Sequence, residues 1–334
     1  MKILLTFDYE LFFGSDTGTV QHCMIEPTRR LLEIFRRHNC KVTFFVDAGC
    51  VLNLSRVAEH DEQAREDYDQ IVLQLNEIAK EGHDIQLHVH PQWEDAVYEN
   101  GKWNIPSERF RLHDFSSSER VEICNRYAEA LRPFAQNTIN VFRAGGWCLQ
   151  PFDEIKESLE STGIKVDSSV FSGGYNSSSK LYYDYRRAPQ KSCYRFSSDP
   201  LHEESDGQFL EMPISDILVS PFFYWNYAYR KYRGRDEHQT FGDGSTVQSS
   251  FKHLARLLTR CSHSVVSCDG FKSKLLQKAL KRQQWKFGTV GNFVVIGHPK
   301  AATEFSLKHL EKFIALNRDH EFIPFSEHPA VKDD

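Results

Sequence analysis

Seven polar side chains follow, or lie late in, short apolar segments of this chain. They are Asp8, Glu10, His88, His90, Arg143, Asp167 and His298. In parallel α/β architectures the carboxyl ends of the strands meet at one edge, where the βα loops form a mouth. Taken singly, such residues are also typical of turns and helix N-termini. Their joint placement at strand ends predicts one shared site.

The spacing of four of these side chains predicts a metal site. Residues two apart in a strand point to the same face, so His88 and His90 share a face, as do Asp8 and Glu10. Two imidazoles and one carboxylate leave a position open for water, which is the arrangement of a catalytic zinc site. Such a metal lowers the pKa of its water toward about 7 and polarises a carbonyl. We expect a divalent ion, with zinc as the first choice, a spare carboxylate as general base and His298 as general acid.

A repeated βα scaffold is needed to bring these residues together. Apolar segments alternate with amphipathic ones, which predicts βα units and a parallel sheet. The pattern predicts strands over 2–7, 41–46, 84–89, 139–142, 164–168, 209–214, 217–219 and 293–296, and a last apolar segment over 321–325. It predicts helices over 26–38, 56–80, 117–134, 152–162, 246–259, 271–281 and 304–317.

The amino-acid composition of the chain changes after residue 171. From there to residue 207 it is rich in Ser, Gly, Tyr and Asp, which is typical of a long loop over a scaffold. We therefore predict a single α/β domain over 1–330 with a loop-rich insertion over about 171–245.

Composition excludes several classes of protein. The 334 residues are 40% hydrophobic and 26% charged, as in soluble globular proteins. The net charge of −5 does not suit a protein that binds duplex nucleic acid. The eight cysteines never occur as Cys-x-x-Cys, which argues against a zinc ribbon or a disulfide framework. No segment approaches the ~18 apolar residues of a membrane span, and the first apolar run is too short for a signal peptide, so a cytoplasmic protein is expected.

Five motifs resemble those of the polysaccharide deacetylases with the NodB homology domain, carbohydrate esterase family 4. In chain order they are TFDYE at 6–10, GHDIQLH at 82–88, RAGG at 143–146, VDSS at 166–169 and IGH at 296–298. They resemble the family's TFDDG, its GHEIGNH lead into the metal histidines, its Arg-centred third motif, its YDSS strand and its closing Leu/Ile-x-His. The ordered set covers about residues 2–300.

This resemblance implies a distorted (β/α)7 barrel and the removal of an N-acetyl or O-acetyl group from a sugar. By position, Asp8 matches the general base and Arg143 the residue that orients it. His88 matches the first metal histidine and His298 the general acid. Asp167, in the VDSS motif, is counted with the catalytic residues.

Two positions depart from the family pattern. The family's metal aspartate directly follows the base, where this chain has Tyr9, so the carboxylate ligand is assigned to Glu10. The second metal histidine is expected four positions after the first, where this chain has Gln92, and His90 is assigned instead. The HVHPQW sequence at 88–93 resembles deacetylase-like proteins encoded with lipopolysaccharide O-antigen genes.

Aromatic residues make up 13% of the chain and suggest stacking surfaces. Trp93 and Trp147 are predicted to line the mouth, where an aromatic face packs on a sugar ring, or else to pack within loops. His113 and Lys300 are further candidates for substrate contact. The segment 222–235 interleaves aromatic and basic residues, which suits a glycan, a sugar-nucleotide phosphate or single-stranded nucleic acid, or a packed helix with a solvated basic end.

The sequence therefore predicts a metal-dependent hydrolase that deacetylates a nucleotide- or lipid-linked sugar in cell-surface polysaccharide or O-antigen synthesis. Two alternatives remain open: a cyclic-imide or amide hydrolase of small nitrogenous molecules, and a non-catalytic sugar-binding barrel that has lost the metal. A two-histidine, one-carboxylate iron oxygenase would also use this ligand set.

Overall fold

The computed structural model describes residues 1–234, 236–245 and 251–332, and the side chains of all of these except 251–253. The strands are β1 (Lys2–Tyr9), β2 (Thr43–Asp47), β3 (Asp84–Val89), β4 (Val97–Glu99), β5 (Lys102–Asn104), β6 (Val141–Ala144), β7 (Val166–Asp167), β8 (Tyr175–Ser177), β9 (Tyr182–Asp184), β10 (Tyr194–Phe196), β11 (Phe209–Glu211), β12 (Asp216–Val219), β13 (Ser262–Val265), β14 (Asn292–Gly297) and β15 (Glu321–Phe322). The α-helices are α1 (Glu26–His38), α2 (Ala48–Val57), α3 (Glu62–Lys80), α4 (Ser117–Leu131), α5 (Lys156–Ser161), α6 (Pro221–Tyr232), α7 (Phe251–Thr259), α8 (Leu276–Phe287), α9 (Glu304–Leu316) and α10 (Pro329–Lys332).

The main sheet is mixed but mostly parallel, in agreement with the predicted α/β class. Its order is β10-β11-β7-β6-β3-β2-β1-β14, with β15 paired to the start of β1. All neighbours from β11 to β14 are parallel, and β10 alone is antiparallel to its partner. The carboxyl ends of β1, β2, β3, β6, β7, β11 and β14 therefore point to the same edge, where the predicted site residues begin or end their loops.

The two ends of this sheet approach each other through irregular hydrogen bonds. The Ser215 amide, just after β11, donates to the Val294 carbonyl of β14 at 3.0 Å. The Ile296 amide donates to the Val266 carbonyl at 3.1 Å. The sheet thus curls toward a barrel, but the β7–β11 connection contains the β8–β9 hairpin and β10 and no α-helix, so strict βα alternation stops there.

Several predicted elements have the predicted bounds, and others do not. The helix over 26–38 and the strand over 84–89 are α1 and β3. The single helix predicted over 56–80 is wrong, because α2 ends at Val57 and a turn follows it. Asp61 then starts α3 by accepting a hydrogen bond from the Ala64 amide at 2.8 Å. The strand predicted over 217–219 leaves the main sheet and pairs antiparallel with β13, which was not predicted. The predicted helix over 246–259 lies partly outside the described residues.

An apolar core fixes the strands that carry the site. The Phe7 ring of β1 packs against Phe35 of α1 at 5.5 Å between centroids and against Phe44 of β2 at 5.7 Å. All three rings are buried. Burial of a side chain of this size stabilises a fold by roughly 1.5–3 kcal/mol, so the backbone beneath the mouth is held rigidly. Among the described residues no helix is long and apolar enough to cross a membrane.

Candidate functional site

β1 and β3 flank β2, and they bring the three predicted metal ligands together. Glu10 directly follows β1, while His88 and His90 lie at the end of β3. The Glu10 carboxylate oxygen Oε2 is 2.8 Å from His90 Nε2 and 3.3 Å from His88 Nε2. The two Nε2 atoms are 3.1 Å apart. All three side chains are buried, so the cluster is a closed set of donors and not a surface patch.

The donor atoms of this cluster fit a shared divalent ion. Glu10 Oε2 is a buried carboxylate oxygen that makes no well-formed hydrogen bond, even though it is close to both imidazoles. Tetrahedral bonds of about 2.0–2.2 Å to one ion place the donors roughly 3.3 Å apart, which is close to the distances seen here. The residues present therefore suit a metal of the zinc type.

Hydrogen bonds behind the two imidazoles leave their Nε2 atoms free for a metal. His88 Nδ1 is 2.8 Å from the Arg143 carbonyl oxygen, to which it donates in the tautomer with a free Nε2. His90 Nδ1 is 3.1 Å from the side-chain amide of Gln92, whose Oε1 is buried and has no partner. With the amide turned over, Oε1 accepts from Nδ1 and His90 adopts the same tautomer. Gln92 therefore orients His90.

Lys300 stabilises the ionised form of the ligand carboxylate. Its buried Nζ is 3.0 Å from Glu10 Oε1 and donates to the Leu11 carbonyl at 2.6 Å. Burial alone would raise the pKa of Glu10, but Lys300 and the two imidazoles outweigh burial and hold the pKa well below its usual range. The structure thus places Lys300 behind a metal ligand, whereas the sequence suggested a substrate contact.

The two histidines differ in their affinity for a proton. Burial lowers the pKa of His90 to about 4, so its imidazole is neutral at pH 7. Burial also disfavours a charged His88, but the carboxylates of Asp8 and Glu10 outweigh it and raise the pKa to about 9. The carboxylates therefore favour a positive charge at His88 Nε2, where a proton and a metal compete.

Asp8 is held by Arg143 with one oxygen facing the cluster. The guanidinium Nη1 donates to Asp8 Oδ1 at 2.6 Å and to Thr6 Oγ1 at 2.9 Å. Its Nε donates to the Ser168 carbonyl at 2.9 Å, and the group lies 4.0 Å over the Phe45 ring. Asp8 Oδ2 remains 3.8 Å from His88 Nε2. This fixed arrangement suits a base that is oriented by an arginine.

His298 reaches the same cluster from the end of β14. Its Nε2 is 3.6 Å from Asp8 Oδ2 and 3.8 Å from Glu10 Oε1. Its Nδ1 is 2.8 Å from Asp269 Oδ2, and its backbone amide donates to Asp269 Oδ1 at 2.7 Å. Burial lowers the pKa of His298, but the Asp269 carboxylate outweighs it, so the net shift is upward. The His298 side chain is 21% exposed, more than the ligand side chains, which are 3–6% exposed.

Asp269 was missed by the sequence analysis. It follows the segment that contains β13, just as Asp8 follows the apolar segment over 2–7. The pKa of Asp269 is lowered, because the nearby His298 outweighs the effect of burial. Attention to that pattern would have found it.

Asp167 is bonded within its own motif. Its carboxylate accepts from the Ser169 amide at 2.8 Å and from Ser169 Oγ at 2.7 Å. Ser169 Oγ in turn accepts from the Ala144 amide at 2.8 Å. Asp167 therefore supports the backbone of β6 beside Arg143, and its catalytic role stays a prediction.

The predicted substrate-contact residues have different surroundings. Trp93 is fully buried, stands edge-on to Trp103 and donates to Asp47 Oδ2 at 2.6 Å, so the prediction that it lines the mouth is wrong. Trp147 is partly exposed and packs on Phe171 at 5.4 Å. The structure does not bring His113 to the cluster, since its Nε2 lies 2.9 Å from the Pro151 carbonyl.

The mouth has a different aromatic lining from the one predicted. Phe13 covers the His90 ring at 4.1 Å between centroids, and Phe110 meets the same ring edge-on at 6.0 Å. Phenyl rings, and not an indole, therefore flank the ligand histidine.

Comparison with known proteins gives no match at the level of sequence families. No family model matches this chain, and no curated protein matches it. Among solved structures, a Mycobacterium smegmatis protein described as a candidate polysaccharide deacetylase aligns with 99% of this chain and 89% of its own, at 16% identity and a TM-score of 0.49. A polysaccharide deacetylase from Bacillus cereus aligns with 98% and 92%, at 11% identity and a TM-score of 0.41.

A family 4 carbohydrate esterase from Streptomyces lividans, in complex with acetate, is also similar. It aligns with 94% of this chain and 88% of its own, at 10% identity and a TM-score of 0.37.

Proposed function

We propose that this chain is a metal-dependent hydrolase that removes an acetyl group from an acetylated sugar. The observation that carries the proposal is the convergence of a Glu10–His88–His90 donor set with a carboxylate, Asp8, and an imidazole, His298, at one edge of a parallel sheet. The order of the five motifs along the chain adds support. Separate acid, base and metal-ligand groups in one small volume are the components of metal-assisted hydrolysis.

Glu10, His88 and His90 would hold the metal. A divalent ion bound there supplies Lewis-acid chemistry: it acidifies water and polarises the acetyl carbonyl. Glu10 stays ionised because Lys300 compensates its charge. The neutral state of His90 leaves its Nε2 lone pair ready for coordination.

Asp8 accepts through Oδ2 a proton from the water that attacks the acetyl carbonyl, and the oxygen of that water leaves in the acetate product. Arg143 occupies Oδ1, so the carboxylate cannot turn away from the cluster. Both groups are buried, which strengthens their ion pair and excludes bulk water from the base.

His298 carries a proton on Nε2 and gives it to the departing amine or alkoxide. Asp269 accepts from Nδ1, which fixes the ring and stabilises the imidazolium. The partial exposure of His298 supports this role, because a substrate could reach its ring.

The finer substrate assignment rests on the HVHPQW sequence at 88–93. We propose a nucleotide- or lipid-linked sugar in O-antigen or other cell-surface polysaccharide synthesis, handled in the cytoplasm, with zinc as the ion. Trp147 is proposed as a substrate contact because its indole is partly exposed on the loop that follows Arg143.

The amide hydrolase of small cyclic molecules remains the second candidate. It is favoured by the narrow access to the cluster, since the ligand side chains are only 3–6% exposed and Phe13 covers His90. A small planar ring would need less room there than a glycan.

A substrate panel separates the two functions. Zinc-loaded protein is incubated with N-acetylated and O-acetylated sugars, a UDP-linked N-acetyl sugar, and cyclic imides, and acetate release and ring opening are measured. Acetate release that is absent in the His88→Ala variant and retained in His113→Ala supports the deacetylase. Ring opening with no acetate release supports the second candidate, and turnover of no substrate contradicts both.

A further inference from the structure

Helix α6 presents a stripe of aromatic side chains to solvent. Phe222, Trp225, Tyr229 and Tyr232 are 77%, 57%, 56% and 90% exposed. Their spacing of three, four and three residues places them on one face of the helix. No residue of α6 is buried, which is unusual for a helix so rich in aromatics.

The opposite face of α6 is already occupied by the protein. Phe223 and Tyr227 pack on the Phe271 ring at 5.1 Å and 5.7 Å between centroids. On the stripe side, Trp225 Nε1 donates to the Leu258 carbonyl of α7 at 3.0 Å, which fixes α6 beside α7 while the side chain stays 57% exposed. The aromatic stripe is therefore held outward by packing on the other side.

Cationic groups outnumber acidic ones around this stripe. Arg230 and Arg233 line a shallow groove together with Phe222, Trp225 and Tyr229. Among the described side chains, α6 and α7, each with the residue that follows it, carry five Lys or Arg residues, and the nearest acids in the chain are Asp236 and Glu237, which follow α6. On a protein with a net charge of −5, this surface therefore has an excess of positive charge.

Aliphatic side chains extend the same surface. Leu218, just before α6, and Leu254 of α7 are 40% and 49% exposed. Stacked bases or sugar rings use aromatic faces and have little use for leucine, whereas hydrocarbon binds both kinds of side chain. Aromatic rings and arginines of α6, with aliphatic groups from β12 and α7 beside them, form a surface like that of helices that lie in a membrane interface.

We propose that the α6–α7 surface docks on an anionic lipid bilayer, with the aromatic stripe at the headgroup level and Arg230 and Arg233 on lipid phosphates. Charge complementarity carries the choice of partner, because a cationic patch on an acidic protein is attracted to an anionic surface and not to a neutral one. A helix of 12 residues is about 18 Å long, which allows it to lie on a bilayer but not to cross it.

The docking surface adjoins the candidate site through one short segment. Phe271 packs against Phe223 of α6, and it lies two residues after Asp269, the hydrogen-bond partner of His298. A lipid surface under α6 would therefore lie beside the mouth. The proposal goes beyond the deacetylase assignment, because docking depends on α6 whether or not the site is catalytic.

Cosedimentation with large unilamellar vesicles tests the proposal. The full chain is mixed with vesicles of phosphatidylcholine alone, or of phosphatidylcholine and phosphatidylglycerol, at low and high salt. We expect binding to the anionic vesicles only, weakened about tenfold or more in ~0.5 M salt. The Trp225→Ser/Tyr229→Ser double variant and the Arg233→Glu variant should each bind about tenfold more weakly.

A matched control is available on another helix. Trp285 of α8 is 88% exposed, so Trp285→Ser removes an exposed indole without touching α6, and its vesicle binding should equal that of the wild type. Circular dichroism checks that every variant is folded. Absence of binding to anionic vesicles, or equal weakening by Trp285→Ser, overturns the proposal. Tight, salt-sensitive binding to a single-stranded oligonucleotide with none to vesicles would also overturn it and identify a polyanion site.

Discussion

Two pairs of buried carboxyl groups lie at the carboxyl ends of the parallel strands, and they differ in the charged groups that surround them. Asp8 and Glu10 lie at the end of β1, and the pKa of Glu10 is held low by Lys300 and the imidazoles in spite of burial. Asp167 and Glu211 end β7 and β11, directly in register, and burial raises the pKa of both. Nearby cations thus favour the charged form of Glu10, whereas burial favours the protonated forms of Asp167 and Glu211.

The difference teaches that burial does not decide which carboxyl groups can react. Arg143 reaches Asp8 from 135 positions away, and Lys300 reaches Glu10 from the opposite end of the chain. Glu211 faces Asp167, another acid, so the charged form of Glu211 is opposed by burial and by its neighbour. Cations supplied from distant parts of the chain distinguish the Asp8–Glu10 pair, here called the chemical pair, from the Asp167–Glu211 pair, here called the structural pair.

Substitution in the two pairs should have very different effects on turnover. Asp8→Asn is expected to lower kcat/KM by about 10²–10⁴-fold, because it removes the proton acceptor. Glu211→Gln, the control from the structural pair, should leave kcat/KM within about twofold. Steady-state kinetics with zinc-loaded protein measures both. Equal losses in the two variants would erase the proposed distinction.

The role of Lys300 can be tested by its effect on stability without metal. In Lys300→Met the buried Glu10 carboxylate loses its lysine and keeps only the two imidazoles as partners, so the metal-free protein should lose about 3–5 kcal/mol of unfolding free energy. Zinc should then raise the Tm of the variant by more than it raises that of the wild type. Thermal melts with chelator and with zinc give both values. A variant as stable as the wild type without metal would show that Lys300 does not compensate Glu10.

The raised pKa of Glu211 should make the free energy of unfolding depend on pH. A folded-state pKa above the unfolded value means that the stabilisation by Glu211 is complete below pH 4.5 and is lost as the pH rises through the folded-state pKa. Gln cannot ionise, so the stability of Glu211→Gln relative to wild type should grow from pH 5 to pH 8, by at most about 1.4 kcal/mol per pH unit. Urea unfolding at several pH values measures this, and a constant difference would contradict a raised pKa.

Substitution of Gln92 is expected to have the smallest effect of these variants, and that effect is on zinc affinity. Gln92→Ala removes the partner of His90 Nδ1 and should weaken zinc binding by about tenfold, with little change in fold. Competition with a zinc-binding dye gives the affinity. Unchanged affinity would mean that His90 is oriented by packing under Phe13 alone.

Local patterns predicted much of the fold and the ligand set. The β-branched and aromatic content of β2 and the apolar stripe of α1 are local signals, and both elements were found. Period-two spacing placed Glu10, His88 and His90 on converging faces, and the structure brings them within 4.8 Å.

Tertiary contacts explain what the sequence did not predict. Lys300 acts on Glu10 only because β14 pairs with β1, and no local pattern contains that pairing. Trp93 was placed in the mouth by its position after His90, but the turn after β3 directs its indole to buried Asp47. Asp167 occupies a strand end like Asp8, yet Arg143 donates to Asp8, whereas the Asp167 carboxylate accepts from Ser169.

Metal content tests the central claim most directly. Wild-type protein, His88→Ala and His113→Ala are loaded with zinc, desalted and analysed for metal per chain. The account predicts about one zinc in the wild type and in His113→Ala, whose imidazole bonds to the Pro151 carbonyl outside the cluster, and almost none in His88→Ala. Equal zinc in His88→Ala and wild type, or none in any of the three, would contradict a metal centre at Glu10, His88 and His90.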